Sequence, residues 1–182
     1  MKDPVSARAK VYRLVLNALF AAIYVIFSVF FAFKGKTLEI SWASLPILLC
    51  AFLFRPADAI AVAICGSFLE QLLSPYGISA TTPLWMLPVI LQAAVAATAA
   101  YLMRNRMRVW KMAVIIAVSE LLLTAANIAV SYIDAVLFDY LEYLVIDIPV
   151  RLFNGGIRTL ISCVLIPLLL IPLRKVLVKT QR

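Results

Sequence analysis

The 182-residue chain has no histidine and only three cysteines, Cys50, Cys65 and Cys163, which are far apart and each set in an apolar run. The missing histidine excludes Ser-His-Asp catalysis, histidine-bearing zinc sites and haem held through imidazole. The cysteine spacing has no CxxC or other metal pattern, so the thiols read as small buried apolar residues. Charge is scarce as well. Only 14% of residues are Asp, Glu, Lys or Arg, against about 25% in an ordinary soluble domain. Apolar residues make up 65% of the chain and the mean hydropathy is +1.03. A soluble body of this size has too much surface to hide so much apolar area. The composition therefore excludes a soluble globular domain, a disordered chain and a nucleic-acid-binding module, even though the net charge is +8.

Long apolar runs dominate instead. A membrane helix needs about 20 mostly apolar residues. Six candidate spans follow: 12–33, 42–54, 57–73, 83–103, 111–133 and 145–173. The second is short, and Arg55-Pro56 separates it from the third; the two together also read as a broken hairpin. The first run is too long for the core of a signal peptide and reads as a mature helix.

Basic residues then orient the spans. Lys2, Arg8, Lys10, Arg13, Arg55, Arg104, Arg106, Arg108, Lys111, Arg174, Lys175, Lys179 and Arg182 all fall on one side under six spans. The other side has Lys34 and Lys36 together with Glu39, Asp134, Asp139, Glu142 and Asp147. The expectation is an all-α integral membrane bundle of six transmembrane helices. It forms one domain over residues 1–182, with both N- and C-termini cytoplasmic. This asymmetry explains the positive charge without nucleic acid. There is no Walker A pattern, so ATP-driven transport would need an ATPase on another chain.

Four ionisable residues fall within the spans: Glu70, Glu120, Arg151 and Arg158. Such groups are costly in hydrocarbon and face a bundle interior or a cavity. Glu120, Thr124, Asn127 and Ser131 share one helical face by their spacing, and so do Arg151, Asn154, Gly155, Arg158 and Ser162. Two readings stay open. The arginines form a polar pocket that clamps an anionic solute, or an ion pair such as Glu120 with Arg158 ties the two helices together. The loop Ser74-Pro75-Tyr76-Gly77-Ile78-Ser79-Ala80-Thr81-Thr82 leads to Trp85 and Gln92 and is suited to capping a ligand. Trp42, Tyr76 and Trp85 equally suit an interfacial aromatic belt. The candidate substrate-binding residues are Arg151, Asn154, Arg158, Asn127, Trp85, Gln92 and Thr82. Ala18 and Ala22 form a small-xxx-small surface that admits another helix, within the bundle or from a partner. A standalone ion-coupled transporter using Glu70 and Glu120, and a structural subunit without ligand, are the alternatives from other classes.

The layout resembles the S components of energy-coupling factor (ECF) vitamin transporters. Leu16-Asn17-Ala18-Leu19-Phe20-Ala21-Ala22-Ile23-Tyr24 is similar to that family's alanine-rich first helix. Glu39-Ile40-Ser41-Trp42-Ala43-Ser44-Leu45-Pro46-Ile47 resembles its outside loop and the start of its second helix. Leu53-Phe54-Arg55-Pro56 resembles its hydrophobic-FGP turn, with arginine in place of glycine. Gly66 to Glu70 resembles its Gly-x-x-x-Asp, with a longer acid, and Ser74-Pro75-Tyr76-Gly77 fits the loop that follows. Leu45-Pro46 and Ile148-Pro149-Val150-Arg151-Leu152-Phe153-Asn154 look most like folate-type members, with pantothenate, biotin and queuosine-precursor carriers as alternatives. The resemblance implies a multi-pass subunit of the bacterial cell membrane that binds a vitamin-like solute outside, and the two arginines of the sixth span suit an anionic one. With no nucleophile–base pair or metal cluster visible, neither an enzyme nor a cofactor is expected. The resemblance also implies docking through Ala18 and Ala22 on a membrane coupling subunit that works with two cytosolic ATPases, the substrate subunit toppling as it docks.

Overall fold

The computed structural model describes residues 4–31, 33–34, 39–40, 42–74, 77–104 and 107–180. Lys2, Lys36, Ser41, Pro75, Tyr76, Arg106 and Arg182, which figure in the sequence reading, lie outside the described residues. Six α-helices are present: α1 (Pro4–Val29), α2 (Ser44–Leu53), α3 (Pro56–Leu73), α4 (Thr82–Leu102), α5 (Val109–Phe138) and α6 (Leu144–Thr180). A 3-10 turn, Leu141–Tyr143, precedes α6. Between α1 and α2, β1 (Phe33–Lys34) pairs antiparallel with β2 (Glu39–Ile40), Phe33 opposite Ile40 and Lys34 opposite Glu39. The all-α expectation missed this small ladder. Phe30 and Phe31, assigned from hydropathy to the first span, leave the helix, and Phe33 enters the hairpin.

Among the described residues, five helices are long and apolar enough to cross a membrane: Lys10–Val29 within α1, then Pro56–Leu73, Thr82–Leu102, Val109–Phe138 and Leu144–Leu173. The exception is α2. Its 10 residues reach about 15 Å, half of a hydrocarbon core about 30 Å thick. The expected sixth span is thus a half-length helix. Its uniform apolarity has another cause, because every residue from Ser44 to Phe52 is buried. A helix that is apolar all round is an interior helix as readily as a membrane span.

Local chemistry sets the helix ends. Pro56 opens α3, where its missing N–H costs nothing, and the Asp58 carboxylate accepts the Arg55 amide at 3.3 Å. Asp139 ends α5 in the left-handed conformation, φ 58°, which Asp tolerates better than bulkier residues. The Tyr140 amide then donates to the Ala135 carbonyl at 3.0 Å. The fifth helix consequently runs past Ile133, the end expected from the sequence, to Phe138. Gly77, φ 64°, turns the chain between α3 and α4.

Neighbouring helices pack in the order α1, α3, α4, α5, α6, with α2 in contact with α1, α3, α4 and α6. Ala59 and Ala63 of α3 and Ala93, Ala96 and Ala97 of α4 are wholly buried. Small side chains let backbones approach closely where lipid gives no hydrophobic drive for association. Leu14, Leu19, Phe30, Leu102, Val145, Leu160 and Val164 stand outward, as a lipid-facing surface requires. The short connections make successive helices antiparallel. The β1–β2 hairpin, the α3–α4 loop and the α5–α6 turn therefore gather at one end, called the hairpin end below.

Candidate functional site

The two polar stripes meet. Glu120 of α5 is fully buried. Arg158 of α6 donates from Nε to its Oε2 at 2.6 Å and from Nη2 to Thr124 Oγ1 at 3.2 Å. Ser162 donates to Glu120 Oε1 at 3.3 Å. Thr124 in turn donates to its own helix at the Glu120 carbonyl, 2.9 Å. The helices come this close because position 155 is glycine; a Cβ there would lie 2.9 Å from Thr124 Cγ2. Of the two readings open for Arg158, the structure displays the internal tie.

Arg151 lies two turns nearer the hairpin end. Its Nε donates to Asp147 Oδ2 at 2.5 Å, one turn earlier on α6, and its guanidinium sits 5.7 Å from the Trp85 ring centroid. The cation–π contact joins the start of α6 to the start of α4. Trp85 is half-buried at this contact. Thr82 is buried and accepts the Ser79 amide at 2.9 Å; Ser79 and Thr81 pair through their hydroxyls at 3.1 Å. These bonds fix the entry to α4.

Gln92 is fully buried two turns beyond Trp85. Neither its Nε2 nor its Oε1 has a hydrogen-bond partner among the described residues. The same holds for Asn154 Oδ1, Ser131 Oγ, Ser44 Oγ and Asp134 Oδ1. Asn127, half-buried, lies between Thr124 and Ser131 on α5. An unbonded buried amide or hydroxyl costs about 1–3 kcal/mol on mutational scales. Helices α2, α4, α5 and α6 each contribute at least one such group, and α1 contributes Asn17 Oδ1 toward the opposite end. Ser44 was not foreseen, since a lone serine at a helix start reads as a cap. Asp134, an outer-side charge by the basic-residue count, has one oxygen without a partner among the described residues. Its Oδ2 accepts the Tyr140 hydroxyl. Burial, and then the bond to Asp134, push the Tyr140 phenol up to about 12.

Glu70 serves a different contact. The Tyr24 hydroxyl donates to its Oε2, tying α1 to α3, and Gly66 makes room for the Tyr24 ring, 2.8 Å from where a Cβ would stand. Toward the other end Arg13 donates to Asp58 Oδ2 at 2.5 Å and Asn17 to Oδ1 at 3.1 Å. Between these clasps Ala21 is buried, while Ala18 and Ala22 are exposed on the outer face of α1. Trp42 is half-buried against the core. Among the described residues there is no group of three or more Cys, Asp or Glu placed to hold a metal ion.

Comparison with known proteins places this architecture. No curated protein matches the sequence. A solved structure of the S component of a bacterial ECF transporter superposes with a TM-score of 0.62 over 88% of this chain and 96% of that one, at 20% identity. At that identity the likeness concerns the fold. The family model for the S component of ECF-type riboflavin transporters matches residues 8–176. The model that matches is thus of the riboflavin type, whereas the sequence motifs looked most like folate-type members. With nearly its whole length matched, the chain is a multi-pass membrane protein that belongs to this family of transporter S components.

Proposed function

We propose that the protein binds riboflavin, or a closely related flavin, at the hairpin end and delivers it for uptake. In this reading the termini are cytoplasmic, the hairpin end faces outside, and Ala18 and Ala22 dock on a membrane coupling subunit served by two ATPases. The matching family bears the flavin in its description. One observation in the structure carries the choice of solute: each intramembrane arginine has its own carboxylate, Arg158 with Glu120 and Arg151 with Asp147. The groups left without partners are mainly neutral amides and hydroxyls: Gln92, Asn154, Ser131 and Ser44. That set suits a neutral, polyhydroxylated heteroaromatic better than a folate carrying two carboxylates. Trp85 offers an aromatic face for the ring system.

Quenching of riboflavin fluorescence on titration with the detergent-purified protein tests the reading, with folate, pantothenate and biotin measured beside it by calorimetry. Saturable riboflavin binding, with weaker or no binding of the others, is the expected result. Tight folate binding with none of riboflavin would restore the anion clamp and sink the flavin assignment. Transport by the protein alone in proteoliposomes, driven by an ion gradient, would refute the dependence on partner ATPases.

A further inference from the structure

Two large polar side chains, Glu120 and Gln92, are among the biggest side chains shut off from solvent. Glu120 is satisfied by Arg158 and Ser162. Gln92 is satisfied by nothing among the described residues, at either end of its carboxamide. A carboxamide carries two donors and an acceptor oxygen, so this is a large unmet demand where α4 passes from Val89-Ile90-Leu91 into its alanine-rich half. Helical geometry places the demand. Gln92 follows Trp85 by seven residues, two turns or about 10 Å deeper on the same face of α4. Pro88, also buried, lies between them on that face. Trp85 marks where the face looks, since its ring meets Arg151 of α6.

From this placement, and resting on the flavin reading above, we infer that Gln92 is the specificity-determining floor of the site and grips an imide edge of the bound ring. An imide edge sets a carbonyl acceptor beside an N–H donor, the complement of one side-chain amide. Paired donor–acceptor contacts of this kind discriminate by about 1–3 kcal/mol where glutamine reads a base edge. Ribityl hydroxyls then fall to the groups nearer the hairpin end.

The inference separates two roles by experiment. A glutamine that serves folding loses stability on replacement. A glutamine satisfied only by the solute does not, because an apolar side chain there removes an unmet polar group. Gln92→Leu and Gln92→Met are expected to match or exceed the parent in thermal stability without ligand, and to bind riboflavin about ten- to a hundredfold more weakly. On the ligand side, 3-methylriboflavin, whose imide N–H is replaced, should bind the parent more weakly than riboflavin by a similar factor. Gln92→Leu should not distinguish the two. Parent protein that binds both flavins equally overturns the imide assignment and leaves the flavin reading standing, and needs no variant to fold. Unchanged riboflavin affinity in Gln92→Leu does the same. Parent protein that binds no riboflavin overturns both.

Discussion

Replacing Glu120 by alanine tests the energetics of the α5–α6 junction. The carboxylate is wholly buried and holds Arg158 at 2.6 Å; the arginine side chain is 20% exposed. At an effective dielectric of about 20, opposite charges some 4 Å apart attract by about 4 kcal/mol. Removing one member of a buried pair costs about 3–5 kcal/mol, because the other is left uncompensated. With Glu120 gone, Arg158 keeps only Thr124 of its present partners. For a chain of this length each kcal/mol moves the midpoint by about 2–4 °C, so Glu120→Ala should lower Tm by about 6–20 °C. Arg158→Met leaves a buried carboxylate and should be comparably severe. The double variant Glu120→Leu/Arg158→Met should recover most of the loss, since apolar replacement of a whole buried pair is often neutral or stabilising. The thiols supply the assay. Cys50 is fully buried and Cys65 exposed, so a thiol-reactive dye gives a baseline from one and an unfolding signal from the other. Single variants within 2 °C of the parent, or a double variant as unstable as the two losses added, would refute the reasoning. If the double variant regains Tm but loses riboflavin binding, Arg158 touches the solute as well as Glu120.

Gly155→Ala should cost about 1–3 kcal/mol by pushing α6 off Thr124, whereas Gly156→Ala meets nothing within 4 Å and should stabilise by up to about 1 kcal/mol through helix propensity; paired thermal melts read both. The fold raises the Tyr140 phenol from 10.0 to about 12, by burial and then by its bond to Asp134, so it favours the neutral form. The stability advantage of the parent over Tyr140→Phe should be full below pH 10 and fade as pH climbs from 10 to 12, in melts of both proteins across that range; a constant difference would contradict the bond. Ala18→Leu and Ala22→Leu sit on an exposed face of α1 and should leave riboflavin binding intact while reducing co-purification with a membrane coupling subunit.

Periodicity made the α5–α6 junction legible. Glu120, Thr124, Arg158 and Ser162 were placed on facing stripes from spacing alone, and they meet. Spacing could not decide between ion pair and ligand clamp, because that depends on how closely the helices approach, and Gly155 sets the approach. Arg151 was read as free for a solute. An acid one turn earlier, Asp147, was counted as an outer charge, although the interval of four residues allowed the pair. Hydropathy left α2 open, a short span or half of a broken hairpin, because burial inside protein and burial in lipid leave the same composition. The hairpin escaped notice because strands of two residues are too short for alternation to show. The unsatisfied ends of Gln92 were invisible in sequence: a polar residue in a span says that a partner is needed, and says nothing of whether the fold supplies one.

The unequal helix lengths bear on the surrounding lipid. The apolar spans of α3 and α4, 18 and 21 residues, measure about 27 and 32 Å, close to a hydrocarbon core of about 30 Å. Those of α5 and α6, 30 residues each, measure about 45 Å. The crossing helices are therefore unequal, those on one flank close to the bilayer thickness and those on the other about 15 Å longer. Mismatch costs fractions of a kcal/mol per ångström and is relieved by leaning or by thickening the bilayer locally. The resting tilt is therefore expected to depend on the membrane, α5 and α6 leaning further in thin bilayers and standing more upright in thick ones, which infrared dichroism in bilayers of two chain lengths would read.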